Sequence, residues 1–272
     1  MTWNLARIGV PVEARPLHYD ADRTVAYALA CGATTEELDY LLESRGPEVL
    51  PSFAVVPAFP AVVQALSEAG ADLVSVLHGA QRIEVLRPFP EEAELRTTAT
   101  PTALYDKGKG ALLVVETESA DASGPICRTE WQLYFRGLGN FGGERGPPAP
   151  DTSPPEGPPD AVLSEATLLT QALLYRVASG DKNPIHAEPA IAQALGFERP
   201  ILHGLCTLGF ATRAVLGHLG PRVRLRTIEG RFASPVLPSE TLSTHVWSSV
   251  RHFETRVGDK TVISRGRWTT AD

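Results

Sequence analysis

Leu205-Cys-Thr-Leu-Gly-Phe-Ala-Thr-Arg-Ala-Val-Leu-Gly-His-Leu219, followed by Gly220, is the stretch that decides the fold. A long, mostly apolar run closed by a glycine predicts a buried helix. Strand-like runs rich in β-branched and aromatic residues follow it at 223–232, 240–250, 252–257 and 261–269. Sequential antiparallel strands wrapped on one central helix make an α+β layer architecture.

The first half of the chain has the same order of elements. An apolar helix pattern at 58–69 ends at Gly70, and strand-like runs follow at 80–87, 93–104, 111–120 and 126–136. A proline-rich turn comes after the first of these strands in both halves, as Arg87-Pro-Phe-Pro-Glu-Glu and as Ser234-Pro-Val-Leu-Pro-Ser-Glu. Two copies of one unit in a single chain predict a pseudo-dimer.

The boundary between the two units lies at 137–160, where 13 of 24 residues are glycine or proline. Such a segment buries too little apolar surface to offset the entropy of ordering it, which is typical of a linker. The sequence therefore predicts an N-terminal repeat at 1–136, a linker at 137–160 and a C-terminal repeat at 161–272.

Composition excludes several classes of protein. A net charge of −7 argues against a broad nucleic-acid surface, and no apolar run has the length of a membrane span. The three cysteines, Cys31, Cys127 and Cys206, are too few and too widely spaced for a disulfide framework or a metal pattern. We therefore expect a cytoplasmic protein with neither a nucleic-acid nor a membrane partner, and no metal.

The segment most informative about function is Tyr175-Arg-Val-Ala-Ser-Gly-Asp-Lys-Asn-Pro-Ile-His186. Gly180 permits a turn, Asp181 can cap the local backbone, and Asn183 before a proline is kept out of a helix. A carboxylate and an imidazole five residues apart on such a loop can converge on one water molecule. Acid–base groups positioned in this way accelerate reactions about 10²–10⁴-fold. Taken alone, Asp181 is typical of a turn and His186 of a structural histidine.

A second motif, Arg199-Pro-Ile-Leu-His-Gly204, leads into the central helix of the second half. Backbone N–H groups at a helix start are unpaired and carry partial positive charge, and a glycine lets a ligand approach them. A donor aimed at an oxyanion can lower a barrier by about 2.7–4 kcal/mol. The Gly204 amide is our candidate for that donor. The combination of both motifs favours catalysis over the structural interpretations.

The two motifs together resemble the hydratase 2 signature of the MaoC-like dehydratases, and the resemblance extends over nearly the whole chain. It is strongest with the hydratase 2 domains of peroxisomal multifunctional enzymes type 2. Four short stretches of the first half match these hydratase 2 domains, and Arg231-Phe232 of the second half also matches them. The four stretches are Leu50-Pro-Ser-Phe53, Val76-Leu-His-Gly79, Asp106-Lys-Gly108 and Gly139-Asn-Phe-Gly-Gly143.

The resemblance implies a double hot-dog fold and hydration of trans-2-enoyl-CoA to (3R)-3-hydroxyacyl-CoA without a metal or other cofactor. It assigns Asp181 and His186 as the catalytic pair, Asn183 as a residue that holds them, and Gly204 as the oxyanion donor. The residues that it implies as contacts of the CoA thioester are His78, Gly79, Lys107 and Phe232.

The resemblance also bears on how the chain is organised. The first half lacks an Asp-x-Asn-Pro-x-His motif, so we expect one site per chain, with the first half making room for a long acyl tail. No dehydrogenase or sterol-carrier segment is attached, which predicts a free-standing hydratase, and the expected assembly is a homodimer.

Other functions stay open at this stage. One is a dehydratase for a specialised thioester, such as a mesaconyl or acyl-carrier-protein substrate. Others are a non-catalytic acyl-thioester-binding protein and a thioesterase. Arg222, Arg224 and Arg226 are compatible with an exposed strand face or with contacts to the CoA phosphates.

Overall fold

The computed structural model describes residues 3–71, 76–148, 151 and 153–271, and it contains two repeats. The first repeat has a peripheral helix, α1 (Ala21–Ala30), and a central helix, α2 (Val55–Glu68), which is the predicted helix begun three residues earlier. Its strands are β1 (Val12–Glu13), β2 (Leu17–Tyr19), β3 (Val76–Val85), β4 (Ala93–Asp106), β5 (Gly110–Asp121) and β6 (Gly124–Arg136).

The second repeat opens with strand β7 (Ala161–Ala166) and helices α3 (Gln171–Ser179) and α4 (Pro189–Ala194). The central helix α5 (Gly204–Leu219) follows, one residue longer than predicted. Its strands are β8 (Leu225–Phe232), β9 (Thr241–Trp247), β10 (His252–Val257) and β11 (Lys260–Thr270). The run predicted at 240–250 ends as a strand at Trp247 and continues as a 3-10 turn, Ser248–Val250.

The described strands form one continuous antiparallel sheet in which the two repeats mirror each other. Strand order is β1-β4-β5-β6-β3 in the first repeat and β8-β11-β10-β9-β7 in the second, with β2 beside β4. The repeats join where β3 pairs with β8, with Ala80 opposite Arg231 and Glu84 opposite Thr227. This arrangement confirms the expected double hot-dog fold and its pseudo-dimeric organisation.

The core of each repeat lies between its sheet and its central helix. Every residue of α5 from Leu205 to Leu216 is buried, which agrees with a helix that is apolar on nearly all sides. Helix α2 buries one face through Val55, Val56, Ala58 and their neighbours one and two turns on. No helix among residues 3–71, 76–148 and 153–271 has the length and apolar character needed to cross a membrane.

The start of the glycine- and proline-rich segment is anchored by one carboxylate. Asp106, at the end of β4, accepts hydrogen bonds from the backbone amides of Gly108, Asn140 and Gly142 at 2.8, 2.9 and 3.0 Å. These amides hold the pKa of Asp106 below its ordinary value. Two of the stretches that carried the resemblance, Asp106-Lys-Gly108 and Gly139-Asn-Phe-Gly-Gly143, thus meet in space.

The first fifty residues are tied to the second repeat by buried polar contacts. Arg213 on α5 donates to the carbonyl of Cys31 at 3.0 Å and to Glu165 on β7 at 2.7 Å, and it also pairs with Glu37. The side-chain amide of Gln171 donates to the carbonyl of Ala30 at 2.7 Å. The end of α1 is therefore bound to the second repeat.

Candidate active site

The loop that carries Asp181 and His186 is shaped by glycine, asparagine and proline. Gly180 ends α3 with φ of +82°, as predicted, since glycine adopts this left-handed conformation without strain. The carboxylate of Asp181 accepts the backbone N–H of Asn183 at 3.0 Å, and the side-chain oxygen of Asn183 accepts that of Ile185 at 3.2 Å. Asn183 thereby caps the 3-10 turn Pro184–His186, which carries the histidine.

The imidazole of His186 has one nitrogen fixed and the other free for chemistry. Its Nδ1 lies 2.8 Å from the carbonyl oxygen of Ile201, which can only accept, so Nδ1 carries the proton of the neutral ring. Nε2 then presents a lone pair. Burial, the largest cause, lowers the pKa of His186 below its ordinary value, while the charge of Asp181 opposes that shift.

The two side chains converge as expected from their spacing. A carboxylate oxygen of Asp181 and one ring nitrogen each of His186 and His203 all lie within 4.8 Å of one another. One water molecule can reach two such atoms at once, because two hydrogen bonds of about 2.8 Å span up to about 5.6 Å.

The same three groups are poorly arranged for a metal ion. The rings of His186 and His203 are stacked, with centroids 3.6 Å apart and planes tilted by 25°. The in-plane lone pairs of stacked rings run side by side, whereas tetrahedral coordination requires them to point at one centre. The geometry therefore favours a bound water over an ion.

Asp181, Asn183, His186 and Gly204 all line one cavity of about 950 Å³. Its polar end is formed by the loop 180–186 and the start of α5. Its apolar end lies in the first repeat and is lined by Phe59, Val62, Val63 and Leu66 of α2 and by Trp131 and Leu133 of β6. The cavity thus spans both repeats.

Gly204 is the first residue of α5, and no side chain of the described residues caps this helix start. The first backbone N–H groups of a helix have no partner within it, so the Gly204 amide is available to the cavity. The structure adds a second reason for the glycine. A Cβ built there would lie 3.1–3.2 Å from three ring carbons of Phe232, which is tighter than ordinary contact.

Of the four expected thioester contacts, His78 and Phe232 line the cavity. His78 stacks on Trp131 with centroids 5.1 Å apart and meets the edge of Phe232 at 4.9 Å. Burial lowers the pKa of His78 to about 4, so the ring is neutral at physiological pH. The sequence predicts that this strand begins at residue 80, but His78 and Gly79 lie inside β3, where the pairing register shifts between His78 and Ala80.

Gly79 and Lys107 are not among the residues that line the cavity. A Cβ at Gly79 would meet the carbonyl oxygen of Gln132 on the neighbouring strand at 3.1 Å, so this glycine serves close strand packing. Lys107 lies in the β4–β5 turn, where its Nζ donates to the carbonyl of Arg145 and sits 5.2 Å from the centre of the Tyr105 ring. Their roles as substrate contacts stay predictions.

The structure also places residues in the site that the sequence did not single out. The ring of His203 stacks against that of His186, and Arg136 and Lys182 are exposed cations on the cavity lining.

The sequence leaves two roles open for Arg222, Arg224 and Arg226. Of these three, Arg226 forms an ion pair with Glu84 at 3.0 Å across the β3–β8 junction, as expected of a residue on a strand face. Tyr175 lies outside the cavity, fully buried behind His203 with ring centroids 5.0 Å apart.

Comparison with known proteins agrees with this geometry. Residues 151–266 match the MaoC like domain family, and residues 17–137 match the MFE-2 hydratase 2 N-terminal domain family. A probable enoyl-CoA hydratase 2 from Dictyostelium discoideum is 38% identical over 86% of this chain and 83% of its own length. The chain belongs to the MaoC-like hydratase 2 family.

Solved structures of the MaoC-like hydratase 2 family show the same fold. A MaoC-like dehydratase from Phytophthora capsici superposes with a TM-score of 0.85 at 29% identity and covers 99% of both chains. The full-length peroxisomal multifunctional enzyme type 2 of Drosophila melanogaster superposes with a TM-score of 0.81 at 32% identity. The match covers 96% of this chain and 48% of the Drosophila one.

Proposed function

We propose that this protein catalyses the (R)-specific hydration of trans-2-enoyl-CoA to (3R)-3-hydroxyacyl-CoA, or the reverse dehydration, as a hydro-lyase of fatty-acid β-oxidation. The observation that carries the proposal is the convergence of a carboxylate oxygen of Asp181 and a ring nitrogen of His186, in one cavity that the start of α5 also lines. The stereochemistry and the carrier follow from membership of the family.

The proposed reaction uses one water molecule. Its oxygen bonds to C3 of the enoyl group while one of its protons passes to Nε2 of His186. The π electrons of the C2–C3 double bond move onto the thioester as an enolate, whose oxygen the Gly204 amide stabilises. The carboxylate of Asp181 accepts a hydrogen bond from the remaining water proton. The proton on His186 then bonds to C2, so H and OH add to the same face and the ring returns to its starting state.

Each half of the cavity suits a different part of the substrate. The apolar end against α2 accommodates an acyl tail, since each buried methylene contributes about 0.8 kcal/mol. Arg136 and Lys182 are exposed cations on the lining and suit the phosphates of the carrier. No metal or other cofactor enters this reaction.

The test is hydration of crotonyl-CoA, followed as loss of enoyl absorbance and completed by chiral analysis of the product. Asp181→Asn and His186→Ala should each lower kcat by about 10²–10⁴-fold, because each removes a group that positions or deprotonates the water. Turnover that is unchanged in either variant contradicts the proposal, as does an (S) product.

The alternatives give different results in the same assays. Competition between crotonyl-CoA and crotonyl-acyl-carrier protein, and trials with mesaconyl-CoA, identify a dehydratase of specialised thioesters. Tight acyl-CoA binding without turnover at any chain length identifies a binding protein. Release of free thiol identifies a thioesterase.

The expected homodimer and cytoplasmic location belong to this proposal. The surface best suited to a second copy is the exposed apolar side of α3 and the turn before it, because large apolar patches on a monomer are uncommon and mark interfaces. Its residues are Leu168, Leu169, Leu173, Leu174 and Val177. Light scattering tests the dimer. The three buried free thiols fit a reducing compartment such as the cytoplasm, and cell fractionation tests the cytoplasmic location against a peroxisomal one.

A further inference from the structure

His203 is the last residue before α5 and is almost completely buried, with 1% of its surface exposed. It has contacts with both members of the proposed catalytic pair and precedes the proposed oxyanion donor, Gly204. The mechanism described above gives it no role.

The first contact is with the ring of His186. The two imidazoles are stacked at 3.6 Å, and the phenol ring of Tyr175 packs against His203 with centroids 5.0 Å apart. Tyr175 in turn packs against Tyr27, which is fully buried on α1. His186 therefore rests on a column of packed rings, while its Nδ1–H is fixed by the carbonyl of Ile201. Rotation of the ring away from the water is opposed by both contacts.

The second contact is with the backbone of Asp181. Nε2 of His203 lies 3.3 Å from the Asp181 carbonyl oxygen, which can only accept, so Nε2 carries the proton and Nδ1 a lone pair. Nδ1 has no hydrogen-bond partner among the described residues. The buried ring of His203 therefore contacts both the backbone of Asp181 and the ring of His186.

Burial, together with the neighbouring charges, favours the neutral form of His203. Burial and the proximity of His186 both lower the pKa of His203, and Arg176 on α3 acts in the same direction. At His186, burial is the largest cause and lowers the pKa, the Asp181 carboxylate and the Ile201 carbonyl oppose that shift, and Arg176 adds to it. A neutral His203 covers one face of His186 without adding a second positive charge beside the base.

We propose that His203 is a positioning residue that holds the Asp181 backbone and the His186 ring in the geometry required to bind and deprotonate one water. This inference rests on the proposed hydratase activity.

Two substitutions separate the two contacts. His203→Phe keeps a ring against His186 but loses the donor to Asp181. His203→Gln keeps an N–H at the position of Nε2 but loses the stack. Each should lower kcat for crotonyl-CoA about 10- to 100-fold, because small displacements of catalytic groups have effects of this size. KM should stay within about threefold, since neither contact is made to the substrate in the proposed mechanism.

The pH profile and the His186 pKa give a readout that a purely structural role would not change. In His203→Gln, loss of the covering ring lets water reach His186, so its pKa should rise toward 6.5, the ordinary value. In His203→Phe that pKa should stay low. His252→Phe is the matched control, because His252 is also buried but lies outside the cavity, and it should leave kcat and the pH profile unchanged.

NMR titration of His186 measures the same pKa without turnover, which separates the two proposals. If the wild-type protein hydrates no enoyl-CoA, the proposed function is wrong. The NMR titration still tests whether His203 sets the pKa of His186. Unchanged kcat in both variants overturns the inference, as does an identical His186 pKa in wild type, His203→Phe and His203→Gln. Losses that only follow the folded fraction overturn it as well.

Discussion

Replacing Val63 with tryptophan should shorten the acyl end of the cavity without touching its catalytic end. Val63 lines the cavity from α2, on the side of the first repeat, and is only partly buried, so a larger side chain there extends into open space. We expect the Val63→Trp variant to hydrate crotonyl-CoA as the wild type does and to lose its preference for longer substrates.

The size of the expected change in substrate preference follows from the length of the acyl tail. A 2-octenoyl group has four more methylenes than a crotonyl group, and at about 0.8 kcal/mol each their burial is worth about 3 kcal/mol. Since each 1.36 kcal/mol is tenfold in rate, the wild type can favour octenoyl-CoA by up to about 200-fold in kcat/KM. In Val63→Trp this ratio should fall toward one.

The assay is loss of enoyl absorbance for substrates of four to twelve carbons. Gln64→Trp is the matched control, because Gln64 is the next residue of the same helix, exposed and outside the cavity lining. An octenoyl preference that survives Val63→Trp refutes the assignment of the acyl end. An equal loss for crotonyl-CoA shows that the substitution acts on the helix rather than on the tail.

Three further predictions concern acid–base chemistry, steric fit and stability. The acid limb of kcat/KM should have an apparent pKa below 6.5, because His186 must be unprotonated and burial lowers its pKa; a limb above 6.5 contradicts this. Gly204→Ala should cost about 1 kcal/mol, both in transition-state stabilisation measured from kcat/KM and in the free energy of unfolding measured in urea, because the new methyl group crowds the Phe232 ring. The cost should be smaller in a Phe232→Leu background, and an equal cost there would exclude a contact between the methyl group and residue 232. Arg213→Ala should lower the free energy of unfolding by about 3 kcal/mol, since it leaves Glu37 without its buried partner; an unchanged urea midpoint would refute this.

The two central helices and most strands were predictable because their signals are local. The apolar run of α5 and the glycine after it define that helix, and alternation defines β4 to β6 closely. Helix α3 was not predicted. Its large apolar side chains Leu173, Leu174 and Val177 face solvent, whereas its buried face carries the small Ala172 and Ala178 beside Tyr175, so the buried side has no stripe of large apolar residues.

The candidate site was predictable to a similar extent. The loop from Gly180 to His186 follows from the φ preference of glycine and from the Asn–Pro pair, which are properties of neighbouring residues. The position of His203 does not follow from such rules. It depends on the backbone crossing beside the loop at Ile201, whose N–H donates to Ile185 and whose carbonyl accepts from His186. That pairing joins residues fifteen or more positions apart.

The two repeats share a sheet order but offer the cavity different parts of their central helices. α5 presents its N-terminal end, which begins with a glycine and which no side chain in the described part of the chain caps. α2 continues directly from the 3-10 turn Pro51–Ala54, and it lines the cavity with apolar side chains along its length, from Phe59 to Leu66. Because β3 pairs with β8, the two helices lie against one continuous sheet. The start of a helix can stabilise an oxyanion and the apolar side of a helix can pack against an acyl tail, so repeats with the same topology can serve one substrate in different roles.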